Sequence, residues 1–200
     1  MVAKINLAHM PPGLALYVAV YTDLENAPFL KEQLLAGNAD FEYAFIDANM
    51  VVSTKHVLAA AFRAMNDYLH DRLKSRNVHS ETVFSLSPNN NIGEAFRRFG
   101  VSETTKNLLV LKVATSPEIT LESVSQHLSA NIKGQECAFS DAIFGKVADV
   151  ERIRKVYKLR AATSPGRSTA NANGDYGSSS NGSEDLEVQI LGLMALRGAT

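Results

Sequence analysis

This chain of 200 residues has a single cysteine, Cys137. That excludes an internal disulfide framework and a Cys-rich zinc or iron–sulfur site. Nothing around Cys137 signals an activated thiolate, so it reads as a packed or half-buried side chain. Charge of one sign is lacking too: 20 basic and 21 acidic residues leave a formal net charge of −1. Any nucleic-acid surface must then be a local patch. No apolar run approaches the length of a membrane span. After Lys4, the N-terminal stretch is broken by Met10-Pro11-Pro12-Gly13 and offers no signal-peptide core. An intracellular protein without membrane contact is the expectation, and Asn181-Gly182-Ser183, a match to the glycosylation pattern, is incidental in that setting.

Recognisable chemistry is also missing. The histidines His9, His56, His70, His79 and His127 show no metal-ligand spacing, and Gly93 has no phosphate-loop glycines or lysine around it. His70 and Asp71 are adjacent, so on a helix they diverge instead of forming a relay. Asp40, Glu42 and Asp47 could chelate a cation, but ordinary loop polarity explains them. No catalytic residue, cofactor or metal is expected, and the chain reads as a non-enzyme.

What the sequence does have is 46% apolar residues, enough for a core, and one distinctive segment, Leu86-Ser87-Pro88 followed by Asn89 to Gly100. There a strand over 82–86 is expected to stop at a polar turn that leads into a short helix. Asn91 can cap the first amides, with Glu94 three residues on as a capping box requires. Ala95, Phe96 and Phe99 give the helix an apolar edge, and Gly100 suits a left-handed stop with Val101 closing over it. This is a surface suited to positioning a partner.

Elsewhere, residues 14–21, 43–46 and 108–113 read as strands, the last of them central and buried on both faces. Asn26 is placed to cap a helix ended by Gly37. The longest helical signal covers 54–74, where Leu58, Phe62, Met65, Leu69 and Leu73 fall on one side. Arg72, Lys74 and Arg76 then close it at the negative end of its dipole. Further helices are expected at 118–130 and 150–159, with an edge-like segment through Cys137 and Phe139 between them. In the helix at 150–159, Val150, Ile153, Val156 and Tyr157 form the apolar side. Residues 161–183 are rich in Ser, Gly, Asn and Ala and read as a flexible low-complexity insert. A helix over 184–200 then carries Leu186, Ile190, Leu193, Met194 and Arg197 at helical spacing. It either docks on the main body, spanning residues 1–160, or contributes to a partner interface, or does both. The expected fold class is α/β, a single domain with a small mixed sheet packed with helices and a C-terminal helix after the linker.

Three basic clusters stand out: Arg72, Lys74 and Arg76; Arg97 and Arg98; and Arg152, Arg154, Lys155, Lys158 and Arg160. Each is an ordinary solvated face unless two converge, in which case they would attract phosphates.

From Phe84-Ser85-Leu86-Ser87-Pro88-Asn89-Asn90-Asn91-Ile92 through Phe99-Gly100, the chain closely resembles the small KEOPS/EKC subunit family that includes the PRPK-binding protein and its fungal counterparts. Lys133-Gly134-Gln135-Glu136, residues 153–159 and Ala195-Leu196-Arg197-Gly198 resemble further blocks of that family. The resemblance implies a non-catalytic subunit of the assembly that makes threonylcarbamoyladenosine in tRNA. Its implied partners are a small atypical kinase/ATPase, the tRNA 3′ CCA end and, indirectly, the other subunits. It also implies a nuclear and cytoplasmic location and a link to telomeres at the chromosome. Carried to this chain, it makes Arg72, Lys74, Arg76, Asn89, Asn90, Asn91, Ile92, Arg97, Arg98, Arg154, Lys155, Lys158 and Arg197 candidates for RNA. Leu193, Met194 and Leu196 become candidates for the kinase. The alternative is a purely protein–protein adaptor that regulates the kinase without RNA.

Overall fold

In the computed structural model, which describes residues 1–159 and 181–197, alternating side chains of one sheet divide the core into two layers. The strands are β1 (Ala3–Ile5), β2 (Leu16–Thr22), β3 (Ala44–Asp47), β4 (Leu108–Val113) and β5 (Gln135–Cys137). They run in the order β1-β2-β4-β3. The first half of β2 pairs with β1 and the second half with β5, so those two short strands share its outer edge. Every pairing among these strands is antiparallel.

Because successive side chains leave a strand on opposite faces, Leu16, Val18 and Val20 join one core while Tyr17, Ala19 and Tyr21 join the other. The β4 strand is buried on both sides as expected, Leu109 and Leu111 facing one way, Leu108 and Val110 the other. The helices α1 (Ala27–Leu35) and α5 (Leu121–Asn131) cover one face. The opposite face carries α2 (Thr54–Leu69), α3 (Val78–Ser85), α4 (Ile92–Phe99), α6 (Asp141–Val147), α7 (Val150–Tyr157) and α8 (Asn181–Leu196). This is the α/β arrangement of a small sheet and packed helices, with a C-terminal helix, that the alternation implied. The insert expected over 161–183 lies largely outside the described residues.

Several local expectations change. Residues 82–86 are not a strand: α3 runs through Ser85, and every residue of it except Ser80 is buried. A helix with no polar face shows no 3.6-residue period, so its signal resembled a buried strand. The α2 helix ends at Leu69, not near Lys74, and Arg72, Lys74 and Arg76 lie beyond its last turn. Its core face is also different from the expected Leu58–Phe62–Met65–Leu69 row. His56, Val57, Ala60, Ala61, Ala64 and Met65 are buried, whereas Phe62 and Leu69 are 38% and 40% exposed. Small alanines let α2 approach its neighbours closely, which turns the bulky residues outward. Val150 is likewise exposed, leaving Ile153 and Tyr157 as the buried side of α7. The strand β1 and the helix α6 had no clear sequence signal; both are short.

Asn26 stands at the start of α1 but does not cap it; its side chain instead bonds the carbonyl of Asn131 (2.8 Å) and the amide of Lys133 (2.9 Å). Gly37 ends α1 as expected, with φ +67°. The Gly37 amide returns to Leu34 O and that of Asn38 to Gln33 O, the paired bonds of a left-handed helix stop.

Candidate functional site

Three chain-distant side chains anchor the segment that leads into the asparagine loop. Tyr157 of α7 donates from its hydroxyl to the Leu86 carbonyl and meets His56 Nε2 at 2.9 Å. Since the tyrosine proton goes to Leu86, His56 carries its own proton on Nε2 and accepts the Val52 amide at Nδ1 (3.4 Å). Burial pushes the Tyr157 phenol up and the His56 imidazole down to about 3, so both stay neutral. The third is Arg197, at the end of α8, whose guanidinium meets the Phe84 carbonyl.

Tyr157→Phe should therefore leave the Leu86 carbonyl and the His56 N–H without partners in a dry site. We expect a stability loss of about 2 kcal/mol, read as a lower urea midpoint at unchanged slope. An unchanged midpoint would mean that neither bond matters.

The loop itself is a chain of side-chain bonds. Ser87 Oγ accepts the Asn89 amide (3.3 Å), Asn89 Oδ1 accepts the Asn91 amide (3.1 Å), and Asn91 Oδ1 accepts the Glu94 amide (2.9 Å). Asn91 thus caps α4 as expected. The second arm of the box differs: Glu94 does not return to Asn91 but pairs with Arg98 and accepts Asn89 Nδ2 (3.2 Å). The Arg98 guanidinium holds the Glu94 carboxyl below its usual range. Asn89, Asn90 and Asn91 are exposed and Ile92 is half-buried, on a loop braced from beneath.

At the far end of the α3/α4 hairpin lies a cleft of about 430 Å³. Leu34, Phe41, Tyr43, Phe45, Phe96 and Val101 supply its apolar side chains, and Asn38 and Asn77 add amides. Three cations, Lys31, Arg76 and Arg97, also line it. Lys31 is engaged with Glu103 at 3.0 Å, while Arg76 and Arg97 have neither a hydrogen bond nor an ion pair among the described residues. Two of the basic clusters, one in the turn before α3 and one on α4, therefore do converge.

The local causes are specific. Asn77 caps α3 through Ser80 N (2.8 Å). The buried Glu81 gathers Lys74 N (3.0 Å), Ser75 N (2.8 Å) and Ser75 Oγ (2.7 Å), fixing the turn that carries Arg76. A β-carbon on Gly37 would stand 3.1 Å from Arg76 Nη1, so the guanidinium lies against bare backbone. Gly100 is extended (φ −72°, ψ 164°), not left-handed as its position suggested. It is glycine because a β-carbon there would come within 2.6 Å of the Phe96 carbonyl.

The remaining candidates scatter. Arg72 is tied to Asp67 at 3.2 Å and Arg98 to Glu94, while Lys74 is exposed. On α7, Lys155 is exposed and Arg154 is half-buried, and Lys158, just past its end, is exposed. Arg197 does not face solvent: it is 5% exposed, with its guanidinium over the Phe84 ring at 4.0 Å. Met194 is also buried in the chain's own core, so it presents nothing to a partner. Leu193 is half-buried and Leu196 is 59% exposed. Glu81 and Arg63 carry no site signal in the sequence, and Tyr157 and His56 read there only as an apolar helix side and a histidine without ligand spacing. Only the Asn77-x-x-Ser80 spacing before Glu81 gave a local hint, as a helix start.

An apolar floor, amide groups and two guanidinium groups without an ion pair, set against the one carboxylate among the described lining residues, Glu42, can take an unstacked base together with its phosphates. Among the described residues no group of three or more His, Cys, Asp or Glu could hold a metal ion, and no helix is long and apolar enough to cross a membrane.

The family model for kinase binding protein CGI-121 matches residues 21–198. The EKC/KEOPS complex subunit cgi121 of Aspergillus terreus is 53% identical over 197 residues, covering 98% of this chain and 96% of the relative. Its counterpart in Coccidioides immitis is 50% identical over 203 residues, covering 98% and 97%. That of Schizosaccharomyces pombe is 34% identical over 152 residues, covering 76% and 86%.

Proposed function

Since this chain belongs to the CGI-121 family of EKC/KEOPS complex subunits, we propose that it serves that complex in threonylcarbamoyladenosine formation on tRNA, by holding the kinase subunit on one surface and the tRNA 3′ CCA end on another. Its role in the assembly is that of an accessory subunit.

The observation that carries the RNA half is the convergence of Arg76 and Arg97 on the apolar cleft. A single-stranded end can lay bases against Phe96 and Leu34 while its phosphates meet the two guanidinium groups. Asn89, Asn90, Asn91 and Ile92, at the other end of the same hairpin, extend the surface along α4. Gel shifts with intact tRNA and tRNA lacking CCA test this directly. Tighter binding of the intact RNA is the expected result; equal binding rejects end recognition.

The kinase half rests on apolar side chains turned outward where α2 and α8 meet. Arg63 of α2 donates to Met194 O and to Arg197 O (3.0 Å), tying the end of α8, with its exposed Leu196, to α2, which carries the exposed Phe62. Leu196→Asp is expected to weaken kinase co-purification at least about 10-fold, as loss of an apolar anchor does, with thermal unfolding unchanged. Full capture by a folded variant would move the kinase surface elsewhere.

A protein–protein adaptor without RNA is the second reading. It is favoured by the internal use of Arg72, Arg98 and Arg197, which reduces the basic surface that the sequence advertises. It requires negligible RNA affinity even at low salt, where phosphate contacts are strongest.

A further inference from the structure

Arg197 joins two surfaces that the sequence keeps apart. Its backbone ends the described part of α8, where the Arg63 guanidinium holds the carbonyls of Met194 and Arg197. Its side chain crosses to α3, donating to the Phe84 carbonyl, reaching Ser85 Oγ at 3.5 Å and covering the Phe84 ring. The same Phe84 carbonyl also accepts the amide of Ser87, the residue that starts the asparagine loop (3.0 Å). One carbonyl is therefore shared by the C-terminal helix and the first residue of the loop.

The other end of α3 feels the same cation. Glu81 attracts Arg197, and its carboxylate organises the Lys74–Asn77 turn that supports Arg76. Glu81 Oε1 and Arg197 Nε are both buried with no hydrogen-bond partner among the described residues. A buried guanidinium left one donor short is sensitive to small shifts, because a desolvated charge loses much when its remaining bonds lengthen. The anchor is thus poorly tolerant of movement.

We propose that Arg197 is a positioning residue for the RNA site, so that kinase capture on α8 and RNA-end capture along the α3/α4 hairpin are thermodynamically coupled. This rests on the kinase and RNA assignments above. A kinase seated on Leu196 restrains the end of α8, which holds Arg197 on the Phe84 carbonyl where it already lies and so steadies the loop at Ser87. By linkage, an RNA end that favours the set loop must strengthen kinase binding by the same factor. The coupling needs no contact between kinase and RNA.

The test is the affinity ratio of intact tRNA to tRNA lacking CCA, measured with the full chain alone and saturated with kinase. Taking the ratio removes any contact between kinase and the RNA body. For the native chain the kinase should raise the ratio about 10-fold, within the usual range of coupling between sites. In Arg197→Met, which keeps the stem but no donor, the ratio should stay at its kinase-free value while kinase capture persists. Arg197→Lys, with a single donor nitrogen and the cation over Phe84, should recover part of the rise. A native ratio that the kinase leaves unchanged overturns the proposal, as does a full rise in folded Arg197→Met. If Arg197→Met does not fold, amide exchange of the native chain decides. Slower exchange at Ser87 to Ile92 on adding kinase supports the coupling, and unchanged exchange overturns it. A native chain with no CCA preference at all overturns the RNA assignment and this proposal with it.

Discussion

Reversing both cleft arginines, Arg76→Glu with Arg97→Glu, is expected to lower affinity for intact tRNA on the order of 100-fold, equivalent to about 3 kcal/mol for two charged contacts. Affinity for tRNA lacking CCA should change far less. Arg76, in the turn before α3, and Arg97, on α4, line one cleft without an ion pair to release. Neither contributes to the buried core, so thermal unfolding should be nearly unaffected. The salt dependence should also flatten, its logarithmic slope falling by about 1.4 if each arginine neutralises one phosphate of a single strand. Affinity and slope are read from the same titration at several salt concentrations. A parallel loss for both RNAs would instead mean general electrostatic attraction, and no loss would remove the cleft from the RNA path.

Acid should unfold this chain well before its carboxylates are exhausted. Two histidines are buried and neutral. His56 bonds Tyr157, and His79 accepts the Val113 amide through Nε2 at 3.0 Å. Burial pushes each down to about 3 from an ordinary value of 6.5, with Lys112 adding to the effect at His79. With the folded values depressed, the unfolded chain binds protons that the native chain refuses between pH 6.5 and about 3. Their neutrality therefore costs nothing at neutral pH, and stability falls as pH drops through that window. For the pair the loss between about pH 7 and about pH 5 is roughly 4 kcal/mol. Urea unfolding at several pH values gives the slope, and His79→Gln assigns it. Glutamine can still accept the Val113 amide but does not titrate, so the slope should fall by about half. An unchanged slope in that variant would place the acid sensitivity elsewhere.

The legible parts of the fold were those whose signals are local. The strand at 108–113, the Gly37 stop and the Asn91 cap all came through because neighbours within a few residues set them. The two misread helices share one cause. The α3 helix is buried on nearly all sides and α2 packs through alanines, so neither shows its inward face as a row of large residues. Arg197 illustrates the same limit for the site. A cation at the end of an apolar helix looks like a solvated group until Phe84 and Ser85 are found beneath it.

Composition, turn chemistry and the blocks around Asn89–Gly100 were enough to exclude an internal disulfide framework and a Cys-rich metal site and to indicate the family, since these depend on residue identity and short spacing alone. Which cations share a cleft was settled only by the packing of α3 against α4 and of α1 beside them. Burial, ion pairing and convergence depend on what distant segments bring to one place, and Arg76, Arg97, Tyr157 and Arg197 take their roles from those neighbours.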